Sequence, residues 1–543
     1  MTSSGDKLET RSSSQHVEVA SKPTVQGDPQ LIESGEIHQI PIPSASPNDP
    51  LNFSSWKKLA TIWSCCWFSI MSLSLVGSIG MILNRFIEIY LPQGYTIDQV
   101  TYLVTMPSLS VGLGNFIILP AALWIGRRPV FIACTVVLTA ASIGAAFNNS
   151  YEAHLALRIV QGLAAGATES LLPLILSELT FLHQRPLVFS VYWGAQTCIS
   201  SVLNIAITYV VDAAGWRWYY GLYAIVSGIS IFFTFCLSFE TRYSRPPAAL
   251  NGQVVITDDF GVTRVLCAGE ASNYLAHHAP TPSEAAILEP EKSYRQLLSI
   301  WPGALPEGAK LVSMSYLHML QSLSAPAIVY SVFVFSITLG CSIALSLTQD
   351  AVLHTLYGWP EKSIGLINVA SPVVTGFAIL YSGWFGSKAT LWLAKRSSGI
   401  HKPEHHLLLI VFPGFVGLCG ILLYGFGAAK GPQELSWTAP YMGWTLYQFT
   451  FITVSAILST FATEAWPLHP GPALVVVVGL KSIVAFGAAY GLQPMVTLHG
   501  YEWGYGILAA VFAVILLAGI PVYFLNPKWR ALMSGKCMGT CDD

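Results

Sequence analysis

Charged residues are scarce in this chain, and their scarcity excludes most soluble classes of protein. Only 10% of the 543 residues are charged and 53% are hydrophobic, whereas about 25% charged residues is typical of a soluble domain. The formal net charge is −2 at pH 7. A chain so poor in positive charge has no basic surface for DNA or RNA, so we expect no nucleic-acid partner. The composition instead predicts a protein embedded in a lipid bilayer.

The sequence also has none of the patterns that hold a cofactor or carry out covalent catalysis. Its ten cysteines are scattered without a Cys-x-x-Cys pair, which argues against a disulfide framework and against a zinc site. No phosphate-binding loop, metal-ligand cluster or nucleophile–base set occurs between the hydrophobic runs. We therefore expect no cofactor, no enzyme activity and no ATP-driven step. We also expect no cleavable signal peptide in the polar, Ser-rich first 49 residues.

Long hydrophobic runs, in contrast, are abundant. A membrane-spanning helix needs about 20 apolar residues, and runs of that order form two clusters of six, separated by a polar segment. The first cluster comprises residues 59–83, 102–124, 130–146, 153–176, 188–210 and 218–239, and the second comprises 325–347, 364–385, 407–426, 441–463, 473–492 and 505–525. This arrangement predicts an all-α membrane protein with twelve transmembrane helices in two six-helix pseudo-repeats. The expected divisions are a disordered cytosolic tail (1–55), an N-terminal bundle (56–240), a cytosolic loop (241–322), a C-terminal bundle (323–526) and a cytosolic tail (527–543).

Basic residues near the ends of the runs predict the orientation in the membrane. Cytosolic loops of membrane proteins carry an excess of Lys and Arg. If the N-terminus lies in the cytosol, so do the basic residues Arg127, Arg128, His183, Arg185, Lys388, Lys395, Arg396, Lys402, Lys528 and Arg530. We therefore expect both termini in the cytosol, with the plasma membrane as the location. The sequon at Asn148 then lies outside the cell, in a loop that is short for glycosylation.

Two charged residues, Arg158 and Glu169, lie inside the fourth run, where a charge is costly. A charge at the centre of a transmembrane helix costs roughly 2.5 to 3.5 kcal/mol on insertion scales. At ~100° per residue, the spacing of the two residues places them within ~20° of the same helix face. We expect that face to look into a polar cavity. Glu169 is the candidate for proton binding, whereas Arg158, which stays charged, tunes a partner acid, binds an anionic group or simply bonds the backbone.

A third charge, Lys481, lies well inside the eleventh run. A lysine near a helix end usually extends to the membrane interface, which is one interpretation. The other is a cavity-facing cation that pairs with Glu169 or with an acidic substrate. For Glu169 the corresponding alternative is a permanent ion pair across helices without a transport role. Glu464, Asp212 and Asp350 fall near helix ends, where we expect rim or structural roles.

Polar and aromatic residues within the runs supply a candidate lining for the cavity. Those able to hydrogen-bond a bound molecule are Gln161, Gln196, Asn204, Tyr447 and Gln448. The aromatic residues, 12% of the chain, favour a drug-sized and mostly apolar ligand. Most of these aromatic residues are better explained by packing or by a belt at the membrane interface.

Several short motifs, in their order along the chain, resemble those of the major facilitator superfamily. Gly126-Arg127-Arg128 resembles the end of that family's cytosolic loop motif, and Arg158 with Gly162 resembles its fourth-helix motif. Further similarity, to a fungal twelve-helix group of drug–proton antiporters and polyamine or metabolite carriers, lies at 49–52, 177–179, 183–185, 215–218, 240–243 and 399–404. The resemblance implies a carrier that works by alternating access, with Gly126, Arg127 and Arg128 in its gating loop.

The chain departs from the family pattern at positions that matter for gating. Leu123 and Trp124 replace the loop motif's aspartate and the arginine that follows it, and Leu119 replaces its leading glycine. In the second half, Ser387 stands where the group usually carries aspartate, and the fifth-helix glycine–proline pattern is absent. The gating ion pairs built on those aspartates are therefore not expected in their usual form, which leaves the direction of transport open.

The residues and the resemblance together predict a secondary transporter that couples protons to the efflux of a small organic molecule, such as a secondary metabolite or a toxic compound. The alternatives are an uptake carrier for a polyamine or another organic cation, and a non-transporting sensor on the same scaffold. The expected partners are the substrate, protons and the bilayer, and the expected state is a monomer. We further expect Glu169 and Lys481 to attract each other when the carrier faces outward and to separate when it opens inward.

Overall fold

The computed structural model of the chain is helical over most of its described length. It describes residues 32–33, 36–37, 43–44, 46–181, 184–243, 248–250, 253–257, 263–266, 291–301, 303, 305, 308–396, 402–465 and 470–538. Within these residues, twelve helices are long and apolar enough to cross a membrane. The predicted fold class is therefore confirmed. Most of the predicted tail at 1–55 and nearly half of the predicted loop at 241–322 lie outside the described residues.

The twelve membrane helices follow the predicted runs in order. They are α1 (Ser55–Gln93), α2 (Ile97–Ile125), α3 (Arg127–Phe147), α4 (Tyr151–Leu179), α5 (Arg185–Ala214), α6 (Arg217–Leu237), α7 (Pro326–Leu356), α8 (Glu361–Leu393), α9 (His405–Glu434), α10 (Thr438–Ala462), α11 (Pro472–Leu492) and α12 (Pro494–Trp529). A helix at Gly519–Met538 completes α12 and continues beyond it. Outside the membrane helices lie a short antiparallel pair, Ile32–Glu33 with Glu36–Ile37, and an antiparallel sheet of Ala248–Leu250, Gln253–Thr257 and Thr263–Leu266.

Several of the membrane helices are interrupted rather than continuous. α1 passes through 3-10 turns at Ser78–Ile82 and α4 through one at Gly166–Thr168, while α7 ends in a π-helical segment at Ala351–Leu356. An interruption frees backbone N–H and C=O groups, which inside a bilayer must be satisfied by protein or by a wet cavity. The interruptions therefore mark places where side chains from other helices come close to the backbone.

Helices α1–α6 form one half of the bundle and α7–α12 the other. The side that carries the α2–α3 turn and the helix Gly308–Ser322 is called the linker side, and the opposite side, where α1 ends at Gln93, is called the distal side. Near the bundle centre α2 crosses α11 closely, since a Cβ on Gly112 would lie 2.8 Å from the Gly479 carbonyl oxygen. On the distal side α8 crosses α5, where a Cβ on Gly365 would lie 2.7 Å from the Asn204 carbonyl oxygen. The two halves thus contact each other near the bundle centre and on the distal side.

One further helix, Gly308–Ser322, lies within the segment that the sequence predicts to be a loop. It packs on α2 and on the helical stretch Pro470–Leu517, and so touches both halves. The Tyr316 hydroxyl donates to the Phe116 carbonyl oxygen of α2 at 2.8 Å. The apolar side chains of Leu119 and Leu123 from α2 share one buried cluster with Val475 from α11 and with residues of α7 and α10. Closure of the linker side is therefore largely apolar at the positions where the family motif carries charge.

Candidate functional site

A cavity of about 180 Å³ lies between the two halves. Its lining comes from α1, α2, α4 and α5 on one side and from α7, α10 and α11 on the other. The polar lining residues are Ser74, Ser78, Ser108, Glu169, Gln196, Thr197, Ser200, Ser201, Asn204, Ser342, Ser346, Gln448 and Ser482, and the aromatic ones are Trp193, Trp444 and Phe451. Among the described residues of the lining, Glu169 alone carries a charge. The cavity is thus rich in hydroxyl groups, with aromatic walls and a single carboxylate.

Glu169 owes its position to the interruption in α4. The helix ends at Ala165, a 3-10 turn covers Gly166–Thr168, and the helix resumes at Leu171. The Glu169 amide donates to the Gly166 carbonyl oxygen at 3.1 Å, which closes that turn. A carboxylate at such an interruption lies on the wall of the cavity while its backbone remains bonded within α4. The residue is 4% exposed.

The carboxylate of Glu169 is held by three side chains. Its Oε1 lies 2.9 Å from the Nζ of Lys481 on α11. Its Oε2 accepts from the Ser482 hydroxyl at 3.2 Å and from the Asn115 amide of α2 at 3.4 Å. Because Lys481 and Ser482 belong to the other half of the bundle, the carboxylate joins the two halves.

Lys481 is enclosed rather than extended toward the membrane interface. The residue is 2% exposed, and its Nζ lies 4.2 Å from the ring centroid of Phe335 and 5.1 Å from that of Trp193. An ammonium group over aromatic faces is stabilised by the ring quadrupoles. The interpretation in which Lys481 extends to the interface is therefore wrong, and the lysine meets Glu169, as the second interpretation requires.

Two other polar groups in the cavity wall have hydrogen-bonding capacity to spare. The Trp193 indole N–H and the Asn204 Oδ1 find no partner among the residues that the structure describes. Gln196, in contrast, donates to the Ser200 hydroxyl and accepts from the Thr197 hydroxyl, each at 3.3 Å, so both ends of its amide are engaged. Buried polar groups without partners are costly, and in a cavity wall they are suited to bind a polar solute.

The structure contradicts the predicted shared face of Arg158 and Glu169. Arg158 is fully buried away from the cavity, because the 3-10 turn between the two residues changes the angular phase of α4. Its guanidinium donates to the carbonyl oxygens of Leu75 at 2.8 Å, Val76 at 2.9 Å and Leu103 at 3.0 Å. Two of these carbonyls directly precede the interruption in α1. Arg158 thus bonds the backbone, as the structural alternative holds.

Two further predicted lining residues lie outside the cavity wall. Gln161 accepts from the Arg158 guanidinium at 3.1 Å and donates to the Ala141 carbonyl oxygen at 3.3 Å, so it supports the arginine. The Tyr447 hydroxyl donates to the Thr338 carbonyl oxygen at 2.6 Å and is fully buried. Both residues belong to helices that reach the cavity, but their side chains face neighbouring helices instead. Composition and spacing do not reveal this difference.

The predicted gating loop is part of a charged network on the linker side. Arg127 donates through Nε and Nη2 to Glu178 at 3.0 and 2.8 Å. The backbone N–H groups of Arg127 and Arg128 donate to the two carboxylate oxygens of Glu240 at 3.1 and 3.2 Å. Gly126, at φ 126°, makes the turn that presents these amides. The loop is thus tied to the ends of α4 and α6, which lie in its own half.

The remaining candidate positions occupy different environments. Asp212 is exposed near the end of α5, whereas Asp350 is 3% exposed, although the sequence favours a rim position for both. The Asn148 amide is buried and donates to the Ala145 carbonyl oxygen at 2.6 Å, so it is not presented to a glycosyltransferase. His183 lies outside the described residues, as do the side chains of Glu464 and Arg530.

The sequence reasoning did not single out Asn115, Trp193 and Ser482 for the site. A sequence feature could have identified Ser482, because it directly follows a lysine in an apolar run. The feature for Asn115 is weaker, a polar residue inside the second hydrophobic run. Trp193 resembles any other aromatic residue of a membrane helix. Its role emerges only from its position beside the Lys481 ammonium.

The fold and the central site define a membrane carrier with two six-helix halves. The sequence profile of the Major Facilitator Superfamily matches residues 62–492. The chain therefore belongs to the Major Facilitator Superfamily and is a multi-pass membrane transporter. Members of this family carry small organic solutes, often with proton coupling.

Several proteins are similar to this chain over most of its length. An uncharacterized MFS-type transporter of Schizosaccharomyces pombe is 22% identical, covering 92% of this chain and 89% of that protein. The efflux pump radE of Floropilus chiversii is 22% identical, covering 88% and 82%. Among solved structures, the proton:xylose symporter XylE superposes with a TM-score of 0.58 at 12% identity, covering 88% of this chain and 97% of XylE. At that identity the likeness to XylE concerns the fold alone.

Proposed function

We propose that this protein is a proton-coupled secondary transporter that exports a small organic molecule by alternating access. The observation that carries the proposal is the ion pair between Glu169 and Lys481, which joins the two halves at the wall of the central cavity. Glu169 can exchange a proton, and its carboxylate lies where a substrate would be bound. The same carboxylate would thus bind the coupling proton and contact the substrate.

Protonation of Glu169 would change the balance of forces between the halves. A neutral carboxyl no longer attracts the Lys481 ammonium, and a buried ion pair holds together only while both charges are present. The ring of Phe335 on α7 then retains the ammonium on its own half. The two halves are free to separate, and the cavity opens to one side of the membrane. Rocking of two halves about a central site is the movement that this architecture permits.

The export direction is supported by the relatives, several of which are named efflux pumps. The size and lining of the cavity favour a compact substrate with several polar groups. A cavity of about 180 Å³ lies below the range of roughly 300–1,000 Å³ that is usual for drug-sized ligands. The lining therefore fits a smaller and more polar molecule than the aromatic content of the sequence predicts.

A second candidate function is the uptake of an organic cation. Glu169 is the one charged residue in the cavity lining, and Trp193 and Trp444 line the same space. A carboxylate with aromatic rings is a common environment for a bound ammonium group. Such a cation would replace Lys481 as the partner of Glu169, so substrate binding and separation of the halves would be linked.

Flux in proteoliposomes tests the proposed function directly. Vesicles containing the purified protein and a pH-sensitive dye are exposed to panels of compact organic cations, neutral polar metabolites and organic acids. We expect at least one panel to produce proton movement opposite to substrate movement, and that movement should vanish when a protonophore collapses the gradient. Proton and substrate movement in the same direction would favour the uptake candidate. A protein that binds solutes but moves none of them, with or without a gradient, would contradict both transport functions.

We also propose that the linker side faces the cytosol and that the protein resides in the plasma membrane. The support is the set of basic residues near the ends of the helices on that side, including Arg127, Arg128 and Lys388. Epitope tags inserted at Ser12 and at Ser272 are therefore expected to bind antibody only after the cells are permeabilised. Binding to either tag on intact cells would reverse the orientation, and internal fluorescence after permeabilisation would exclude the plasma membrane.

A further inference from the structure

A buried acid on the distal side, Asp350, has no part in the mechanism described above. It lies near the end of α7 and is 3% exposed. Its Oδ2 accepts from the backbone N–H of Asn84 at 3.2 Å. Asn84 belongs to α1, and so to the other half of the bundle. The contact between Asp350 and Asn84 therefore depends on the two halves meeting on the distal side.

Asn84 lies at the start of a short helix, Leu83–Tyr90, that follows the interruption in α1. The residue at its N-cap is Ile82, whose side chain has no hydrogen-bond acceptor. The first amide groups of a helix lack partners within the helix and carry partial positive charge. Asp350 thus supplies from α7 a cap that the α1 sequence lacks.

The other oxygen of this carboxylate is unsatisfied. Asp350 Oδ1 has no hydrogen-bond partner among the described residues, and both amide atoms of the neighbouring Gln349 are likewise without one. Gln349 is fully buried. Burial of a carboxylate charge costs more free energy than its interaction with a single helix terminus contributes. When the halves meet on the distal side, the neutral, protonated form of Asp350 is therefore favoured.

The charged groups around Asp350 do not reverse this preference. A cavity of about 20 Å³ beside it is also lined by Arg85 from α1, Asp212 from α5, and Glu361 and Lys362 from α8. The Arg85 guanidinium is paired with Glu361 at 2.7 Å, in a half-exposed bridge between the halves. On its own helix, His354 lies one turn away and is bonded to the Trp359 carbonyl oxygen at 2.7 Å. Positive and negative groups thus balance around the acid.

We propose that Asp350 is a second proton-binding site, whose occupancy is linked to closure of the distal side. It binds a proton as the halves meet there and releases that proton to distal water as they separate. Release leaves a solvated carboxylate, and rebinding neutralises the group before it is buried again. This inference rests on the proposed alternating access, but it requires neither a particular substrate nor a proton on Glu169.

Distance measurements between spin labels test the linkage in the purified full-length protein. Labels are attached at Gln93→Cys and Gln433→Cys, two exposed positions at the distal ends of the two halves, after the reactive native cysteines are replaced. In lipid nanodiscs we expect the short-distance population to dominate at about pH 5 and to decline toward about pH 9. If the closed state binds the proton tenfold more tightly, the closed-to-open ratio changes on the order of tenfold over that range.

Three variants identify the group responsible for the pH response. Asp350→Asn mimics the neutral acid and is expected to give the short distance at both pH values. Asp212→Asn removes an exposed acid from the same cavity, and His354→Gln removes the neighbouring titratable group. Both are expected to retain the pH response of the unmodified chain.

Two outcomes would overturn the proposal. One is a distance distribution that does not change with pH in the unmodified chain, which decides the matter even where Asp350→Asn fails to fold. The other is a pH response that survives in Asp350→Asn or disappears in His354→Gln. A pH-dependent distance in a protein without measurable flux would leave the Asp350 linkage standing while contradicting the proposed transport function.

Discussion

Replacing Glu169 by glutamine is expected to abolish proton-coupled flux, while the protein is still made and inserted. Glutamine keeps the size of the side chain and can still bond Ser482 and Asn115, but it can neither bind nor release a proton. The substitution also leaves the Lys481 ammonium without its counter-ion. Removal of one partner of a buried pair costs about 3–5 kcal/mol, so we expect the substitution to lower the stability of the protein.

A second variant separates loss of coupling from loss of stability. Glu169→Gln combined with Lys481→Met removes both charges, so no uncompensated ion remains in the site. We expect this double variant to regain most of the thermal stability that Glu169→Gln loses, yet to show no proton-coupled flux. Flux is measured in proteoliposomes, and stability by the unfolding midpoint of the purified protein. If the double variant regained coupled flux along with stability, Glu169 would be a structural acid and not the coupling site.

A matched substitution on the same helix controls for nonspecific effects. Glu152 is exposed at the start of α4 and accepts from the Tyr95 hydroxyl, well away from the central cavity. Glu152→Gln is expected to leave both the flux and its pH dependence unchanged. Equal losses in Glu152→Gln and Glu169→Gln would show that any acid on α4 is required, which the proposed site does not allow.

Exchange of the two charges is expected to recover stability that either single substitution destroys. Glu169→Lys places two ammonium groups side by side, and Lys481→Glu places two carboxylates there. Combining them restores an attractive pair across the two halves. In a double-mutant cycle on thermal unfolding we expect a coupling energy on the order of 2–3 kcal/mol, near the upper end for residues in contact. Recovery should be incomplete, because Phe335 and Trp193 stabilise a cation at position 481 but not at position 169.

The exposed pair of Lys430 and Glu434 provides the contrasting cycle. These residues lie one turn apart at the end of α9, at 2.9 Å, with 46% and 63% of their side-chain surfaces exposed. Solvent and salt screen such pairs, so their exchange is expected to be additive within measurement error. If the changes in unfolding free energy were additive at Glu169 and Lys481 as well, the buried contact would contribute no coupling between the halves. That result would contradict the proposed mechanism.

The predicted and observed sites differ where helices are interrupted. A regular helix places Arg158 and Glu169 on one face, but the turn at Gly166–Thr168 separates them. The turn contains Gly166, yet glycines also occur in uninterrupted stretches of the membrane helices. Nothing local to α4 therefore indicates where the face rotates. The sequence likewise gives no sign of the interruption in α1. That interruption determines where the Arg158 guanidinium finds backbone carbonyl oxygens as acceptors.

Burial also separates residues that look alike in the sequence. Asp212 and Asp350 are both acids near the ends of apolar runs, yet one is exposed and the other lies at the contact between the halves. The difference arises because the α7 residue faces the start of the helix Leu83–Tyr90, which is remote in the sequence. Spacing along one run reports the face of a helix, but it contains no information about which other helix that face meets.

By itself, the sequence determined that the chain crosses the membrane twelve times, and it identified Glu169 and Lys481 as charges in need of partners. Lipid imposes both results, because each crossing must be long and apolar and a charge within it is costly. Only the tertiary structure decided that these two charges meet, that Arg158 bonds the backbone of α1, and that Asp350 caps a helix of the opposite half. Those outcomes depend on helix interruptions and on contacts between distant segments, where a rotation of one helix by part of a turn changes the partner of every side chain on it.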